Sequence, residues 1–313
     1  MPFGAEFLKN ASKEIRVPST QVDLDQIKAL IKRALIEIAK EENYVKPEAV
    51  EIYMHGSYAN NTNIFFPSNL EVVVELTRTP EYNPDALPHP NFRLYNDYYL
   101  ETQLQFNPRD FANLLYTKLE LLCGGKATRT RQIITLPPSK AIKHTVEITP
   151  AFTFNYIDRA TADTKPAEFR GILTYDETAQ AHLATFPKIH QRNGEMKDTM
   201  TRGNFLKMAR VFKTLNKLMA REVDHAPVRG YFIQCLLFNV PRNLFIGDDF
   251  QTVFYAIFNY LIRARLEKFA CQNLVWQLFG HAPEFWSLSE AHNFIKALKK
   301  YEKSFPANRT ELV

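Results

Sequence analysis

Cysteine is scarce in this chain: 313 residues hold three, Cys123, Cys235 and Cys271, with no paired spacing among them. Neither a disulfide framework nor a zinc site is indicated by such isolated thiols. Long apolar runs are also missing. No stretch of about 18 apolar residues occurs, so no membrane-spanning helix is expected. The N-terminus, MPFGAEFLKN, lacks the basic segment and apolar core of a secretory signal, and cytoplasm is the expected location. There are no internal repeats and no low-complexity segments. An excess of charge of one sign is nearly absent too: 39 Lys and Arg against 34 Asp and Glu leave a net charge of +5. That balance suits a cleft handling polyphosphates, and it is equally usual for a protein that is merely soluble. What remains is ordinary globular material, 45% hydrophobic and 23% charged, enough for one large or two ordinary domains.

The chain is organised around residues 50–76, VEIYMHGSYANNTNIFFPSNLEVVVEL. It reads as a strand from Val50 to Met54, a tight turn at Gly56-Ser57, an Asn-rich loop, and a second strand from Leu70 to Leu76. In the second strand Leu70, Val72, Val74 and Leu76 point one way, and Asn69, Glu71, Val73 and Glu75 the other. The second face opens with a polar pair two positions apart, at the mouth of the strand. Nucleotidyl transfer needs that pattern: acids at i and i+2 hold metal ions beside a Gly-Ser turn whose N–H groups and hydroxyl can cradle a triphosphate.

Elsewhere, residues 1–19 read as an irregular arm ending at Pro18. A helix follows from about Asp23 to Glu42, with Thr20 or Asp23 as its N-cap. The Pro-rich stretch 79–92 reads as an exposed loop. Asp110 to Cys123 is an amphipathic helix stopped by Gly124-Gly125. Segments 126–135 and 140–149 read as two strands joined across Pro137-Pro138-Ser139, the second presenting Glu147 on a face opposite Val146 and Ile148. Near residue 165 strand-like alternation fades, and helices are expected at Asn204–Arg221, Gly230–Val240, Asp249–Phe269, Gln272–Phe279 and Ser287–Glu302. Two domains, 1–165 and 166–313, follow. The acid-free run 126–144 holds Lys126, Arg129, Arg131, Lys140, Lys143 and His144, and its expected role is a solvated hairpin edge. No aromatics interleave through it to stack bases, so nucleic acid is not an expected partner.

GSYANNTNI, S-x-x-x-VVV, VEITPAF (146–152), FPKIHQRNG (186–194), TRGNF (201–205) with the following Arg and Lys, and FIQCLLFNVP (232–241) occur in order along the chain. Together these blocks resemble the cGAS/DncV-like nucleotidyltransferases, and most closely their pyrimidine-using clade. The resemblance spans roughly residues 20–300. It implies an α+β fold: a polymerase-β-like nucleotidyltransferase palm, an N-terminal spine helix and a C-terminal helical lobe. The lack of a zinc site sets the chain apart from the metazoan cGAS variety.

The implied activity is synthesis of a cyclic dinucleotide from two NTPs in bacterial anti-phage signalling. UTP, ATP and CTP are candidate substrates, Mg²⁺ or Mn²⁺ the cofactor, an effector protein the reader of the product, and a monomer the expected state. Asn69, Glu71 and Glu147 occupy the places of the family's three catalytic, metal-binding Asp residues. Gly56, Ser57, Lys207, Arg210 and Lys213 are the implied nucleotide-binding residues. Arg202 stands where the family has Gly, and Gly230 where it has a phosphate-contacting Ser. His190, Asn193 and Lys197 are read as structural.

An amide at position 69 carries no net charge, whereas the two glutamates keep theirs at a reach longer by one methylene. Glu75 lies about 13 Å along the strand, too far to substitute. The alternative reading is therefore a weakened or inactive nucleotide-binding pseudoenzyme of the same fold.

Overall fold

In the computed structural model the described residues are 2–15, 19–66, 68–77, 106–158, 167–223, 225–280 and 285–312. In chain order they form α1 (Ala5–Ala11), α2 (Thr20–Glu41), β1 (Val50–Met54), the single turn α3 (Gly56–Ala59), β2 (Leu70–Leu76), α4 (Pro108–Leu122), β3 (Thr128–Thr130), β4 (Ile133–Leu136), β5 (Val146–Asp158), β6 (Ala167–Asp176) and β7 (Ala181–Thr185). Helices α5 (Pro187–Met200), α6 (Asn204–Glu222), α7 (Gly230–Phe238), α8 (Phe250–Arg263) and α9 (Leu288–Ser304) complete the order. The result is a mixed α+β chain with a central sheet, an N-terminal helix and a C-terminal helical domain. No helix among the described residues is long and apolar enough to cross a membrane, and all three cysteines are free.

The chain divides into two compact units: Val17–His55 with Asn69–Phe186, and Met1–Arg16 with Gly56–Ser68 and Pro187–Val313. The expected division at 165 differs from this. Residues 159–166 lie outside the described ones, and beyond them β6 and β7 continue the same sheet, antiparallel to β5 and to each other. Their hydrogen bonding holds them with the sheet whatever their local alternation suggests.

In the sheet unit the strands run in the order β1-β2-β5-β4-β3, with β6 joining β5. Every residue of β2 on the Leu70, Val72, Val74, Leu76 side is buried, as the alternation predicts. Helix α2 packs on α4, which in turn packs on β5 and β6. The rings of Phe106, Phe111 and Phe152 meet at centroid distances of 6.0–6.5 Å. On the other face Val73 is buried with Ala151 and Ile172.

Several local expectations are corrected. The segment 126–135 is not one strand but a hairpin, β3 and β4, turning at Arg131-Gln132 with Arg131 at φ 57°. Residues 140–145 are not strand. Ser139 Oγ accepts from the Ile142 and Ala141 N–H groups, curling the chain until β5 begins at Val146. The N-cap of α2 is Ser19 rather than Thr20 or Asp23. The Pro-rich segment 79–92 lies outside the described residues.

In the helical unit, α6 places Phe205, Met208, Phe212, Leu215 and Met219 on one fully buried stripe against residues of α7, α8 and α9. The arm is not wholly irregular: α1 buries Phe7, Leu8 and Ala11, and Phe3 packs on Phe305 at 4.7 Å. One helical turn-pair is too short for periodicity to reveal. Helix α5 occupies the FPKIHQRNG block, which carried no helix expectation. Helix α8 stops at Arg263, not at residue 269. Residues 272–279 form no helix, because Leu274 sits at φ 59° and the chain makes isolated bridges, Ala270 to Gln277 and Phe279 to Trp286.

Lys197 shows how this core handles a charge. Its ammonium donates to the carbonyls of Phe238 and Val240, the latter at 2.7 Å, and lies 5.0–5.7 Å from the rings of Phe205, Phe238 and Phe245. Burial, with a smaller push from Arg242, brings its pKa down to about 8. The folded state thus binds this proton less tightly than the unfolded chain, whose lysine keeps its ordinary 10.5. Unfolding above pH 8 takes up a proton, so stability rises with pH between those values. Relative to Lys197→Met, the wild-type chain should gain about 2 kcal/mol from pH 7.5 to 9.5, read by urea unfolding at both pH values. A constant difference between the two proteins would contradict the burial of a charged amine.

Candidate functional site

The acids are assembled by a parallel strand pair. Strands β2 and β5 run side by side with Glu71 in register with Glu147, and the Leu70 N–H donates to the Thr145 carbonyl at 2.9 Å to start the ladder. Residues level with one another on adjacent strands lie about 4.8 Å apart and project from the same face. Asn69, one residue ahead of β2, donates from Nδ2 to Glu147 Oε1 at 2.6 Å. All three residues expected to form the acidic cluster are therefore together on one side of the sheet.

His55 was not anticipated there. It follows β1, and its N–H donates to the Glu71 carbonyl at 3.0 Å. Desolvation lowers its imidazole pKa, while the charges of Glu71 and Glu147 act in the opposite direction. The only sequence signal was its position directly before Gly56.

Two carboxylates and an amide oxygen are hard donors suited to Mg²⁺ or Mn²⁺. No group of three or more His, Cys, Asp and Glu arranged to hold a metal occurs among the described residues. The donor set is thus one charge short, and the Asn69 N–H group already satisfies one oxygen that a cation would use. A divalent ion at this place would require that amide to turn its oxygen inward.

Glu75, on the same face, belongs to a separate network. Its carboxylate is buried and accepts from Thr153 Oγ1 at 2.6 Å, Tyr53 Oη at 2.9 Å and Arg170 at 3.0 Å. Burial, with the Glu75 charge adding to it, drives the Tyr53 phenol far above its ordinary pKa. This is a structural anchor, consistent with its distance from the acids.

The Gly-Ser turn belongs to the helical unit. Gly56 has φ 68°, a left-handed conformation in which a side chain would be strained, and it starts the α3 turn. The Asn60 N–H donates to Gly56 O at 3.0 Å and the Thr62 N–H to Ser57 O at 2.9 Å. Thr62, fully buried, accepts Lys213 Nζ on its carbonyl at 2.6 Å and on Oγ1 at 3.3 Å. Lys213 is thereby brought to the loop that carries Gly56 and Ser57. A Cβ at Gly230 would come within 2.9 Å of Lys213 Cε, so the missing side chain at 230 leaves the lysine its path. Thr62 was overlooked although it lies inside the quoted GSYANNTNI block.

Two other expected phosphate ligands are placed differently. Arg210 is buried, and its guanidinium donates to the backbone carbonyls of Ser12 at 2.6 Å and Asn61 at 2.5 Å. It holds the loop rather than offering its charge outward. Lys207, by contrast, is exposed. Arg202, at the family's Gly position, takes φ 55°, the conformation a glycine would adopt without strain.

The basic run 126–144 is only partly a solvated edge. Strand β3 does lie at the end of the sheet order, but Arg131 pairs with buried Asp176 at 2.6 Å and Arg129 with Glu177 at 3.3 Å. The acids missing from the run come from the end of β6 and the turn that follows it.

Residues 192–303 match the family model described as the cGAS/DncV-like nucleotidyltransferase C-terminal helical domain. Over that span the chain carries the C-terminal domain of the cGAS/DncV-like nucleotidyltransferases. Similar curated relatives include the cyclic UMP-AMP synthase of Rhodothermus marinus, 29% identical over 79% of this chain and 82% of that protein. The cyclic nucleotide synthase CdnE01 of Staphylococcus haemolyticus is 27% identical over 84% of this chain and 88% of its own length. Among solved structures, the Rhodothermus marinus CdnE c-UMP-AMP synthase with Apcpp and Upnpp shares the fold with a TM-score of 0.73 at 24% identity, covering 97% of this chain and 98% of the other. This family's similar members are thus cyclic dinucleotide synthases, and the cGAS/DncV-like fold extends over nearly the whole chain.

Proposed function

We propose that this chain condenses two NTPs, UTP among them, into a cyclic dinucleotide second messenger of bacterial anti-phage signalling, at a rate limited by Asn69. The observation that carries the reading is the Glu71–Glu147 pair, in register across parallel strands with Asn69 hydrogen-bonded to it. Glu71, Glu147 and the Asn69 amide oxygen would hold Mg²⁺ or Mn²⁺. Such ions supply charge stabilisation for an attacking hydroxyl and a departing pyrophosphate. The backbone N–H groups of the Gly56 turn, the Ser57 hydroxyl and the Lys213 ammonium are assigned to the β and γ phosphates. UTP is favoured because a relative of similar length is a cyclic UMP-AMP synthase, and another, from Legionella pneumophila, a cyclic dipyrimidine nucleotide synthase.

The test is incubation of the full chain with labelled ATP and UTP in Mg²⁺ or Mn²⁺. A phosphatase-resistant cyclic product is expected. A complete lack of product with every NTP pair would overturn the synthase reading. The second reading, a silent nucleotide binder, is favoured by the amide that already occupies a Glu147 oxygen. Calorimetry would then show NTP binding that hardly depends on metal.

A further inference from the structure

Asp23 is a carboxylate buried to 1% exposure inside α2, a helix to which the reaction gives no role. It does not cap its own helix. A single oxygen, Oδ2, accepts from the Lys143 N–H at 2.8 Å, the His144 N–H at 3.0 Å and His144 Nδ1 at 2.6 Å. Burial alone would raise the pKa of this carboxyl, but the His144 ring and the two backbone donors outweigh it and hold Asp23 below the usual carboxylate range. Breaking the set would strand a buried charge, so the contact is a strong constraint on where residues 143 and 144 sit.

What that constraint touches is the entry of β5. The loop before it, 137–144, contains two prolines and no strand pairing of its own. The next residue, Thr145, takes the Leu70 N–H, and the ladder that begins there sets Glu147 opposite Glu71. Beside β2 the strand has no tight turn to define its register, and its antiparallel pairing with β4 is reached through this same loop rather than a short hairpin; in β-structure a slip of one residue carries every side chain to the opposite face. Glu147, three residues beyond His144, would then leave both Glu71 and Asn69.

We propose that Asp23 is a positioning residue for the acid pair: through the backbone of Lys143 and His144 it fixes the register in which β5 enters, and so keeps Glu147 beside Glu71 and Asn69. The inference rests on the reading of Glu71 and Glu147 as the reactive acids only for its kinetic consequence; the register itself is a property of the sheet.

The experiment compares the full chain with Asp23→Asn, Asp23→Ala and His144→Ala. Asp23→Asn keeps the shape and one acceptor oxygen but removes the charge. His144→Ala removes the ring donor to Asp23 and leaves both backbone bonds. Hydrogen exchange should accelerate at the Leu70 amide and through residues 146–149 by tenfold or more in Asp23→Ala. A smaller increase is expected in Asp23→Asn and the smallest in His144→Ala, with the amides of α4 unchanged. In a ¹⁵N correlation spectrum the Asn69 side-chain amide, shifted by its bond to Glu147, should move toward its free position in the same order.

If the chain is a synthase, kcat should fall in that order at unchanged KM for NTP. Uniform acceleration across the sheet unit, or retained protection at Leu70 with an unmoved Asn69 amide, would overturn the proposal. An inactive wild-type chain would overturn the synthase reading instead, because the exchange and spectral results report on Asp23 without turnover.

Discussion

Asn69→Asp should raise cyclic-dinucleotide formation by roughly 100-fold in Mg²⁺. The reasoning is electrostatic. An amide oxygen contributes only a dipole to a divalent ion, while a carboxylate a few ångströms away is worth several kcal/mol even where the effective dielectric is high. About 2.7 kcal/mol of that, realised in the transition state, corresponds to the stated factor. The structure adds a second contribution. Asn69 currently donates to Glu147 at 2.6 Å, and that bond must break before the oxygen can face a cation. A carboxylate at this position has no proton to donate at neutral pH, so without metal it would repel Glu147. The variant should therefore melt at lower temperature than wild type in EDTA and recover with Mn²⁺, whereas wild-type melting should respond weakly to the ion. Thermal melts with and without metal, beside a turnover assay, check both halves. Equal turnover and equal metal response in the two proteins would mean that position 69 faces no ion.

Glu147→Gln should reduce turnover by about 1,000-fold or more while leaving the fold intact. The amide oxygen of the new side chain can still accept from Asn69 Nδ2, so the existing hydrogen bond survives. The change removes the charge alone. Glu75→Gln supplies the contrast on the same face. Glu75 is buried and pairs with Arg170 while accepting from Tyr53 and Thr153, so neutralising it removes the buried partner of Arg170 and disturbs a satisfied network. Its cost should appear as lost stability, with activity per folded molecule nearly retained. Steady-state kinetics and denaturant unfolding on both variants separate the cases. A Glu147→Gln protein with near wild-type turnover would remove the acid pair from the chemistry.

The sequence by itself determined the elements whose patterns are local. Alternation from Leu70 to Leu76 named the buried side of β2 and put Asn69, Glu71 and Glu75 on the other, and that is how the strand lies. The apolar spacing of Phe205, Met208, Phe212, Leu215 and Met219 located α6 and its buried stripe. Gly56 before Ser57 marked a turn, and the positive φ there is why a glycine serves.

Partnership was decided only by the tertiary structure. Asn69 and Glu147 are 78 residues apart, and the alternation of either strand says which face is buried but not which strand lies alongside. That Asn69, Glu71 and Glu147 share one site was legible only through resemblance. Arg210 and Lys213 were both phosphate ligands by resemblance. Packing instead buried one against the carbonyls of Ser12 and Asn61 and directed the other to Thr62. Asp23 looked like a helix cap, yet its oxygen holds a segment 120 residues away. Periodicity records burial along one element, while the partner of a buried charge is settled by which distant donors the folded chain brings within hydrogen-bond reach.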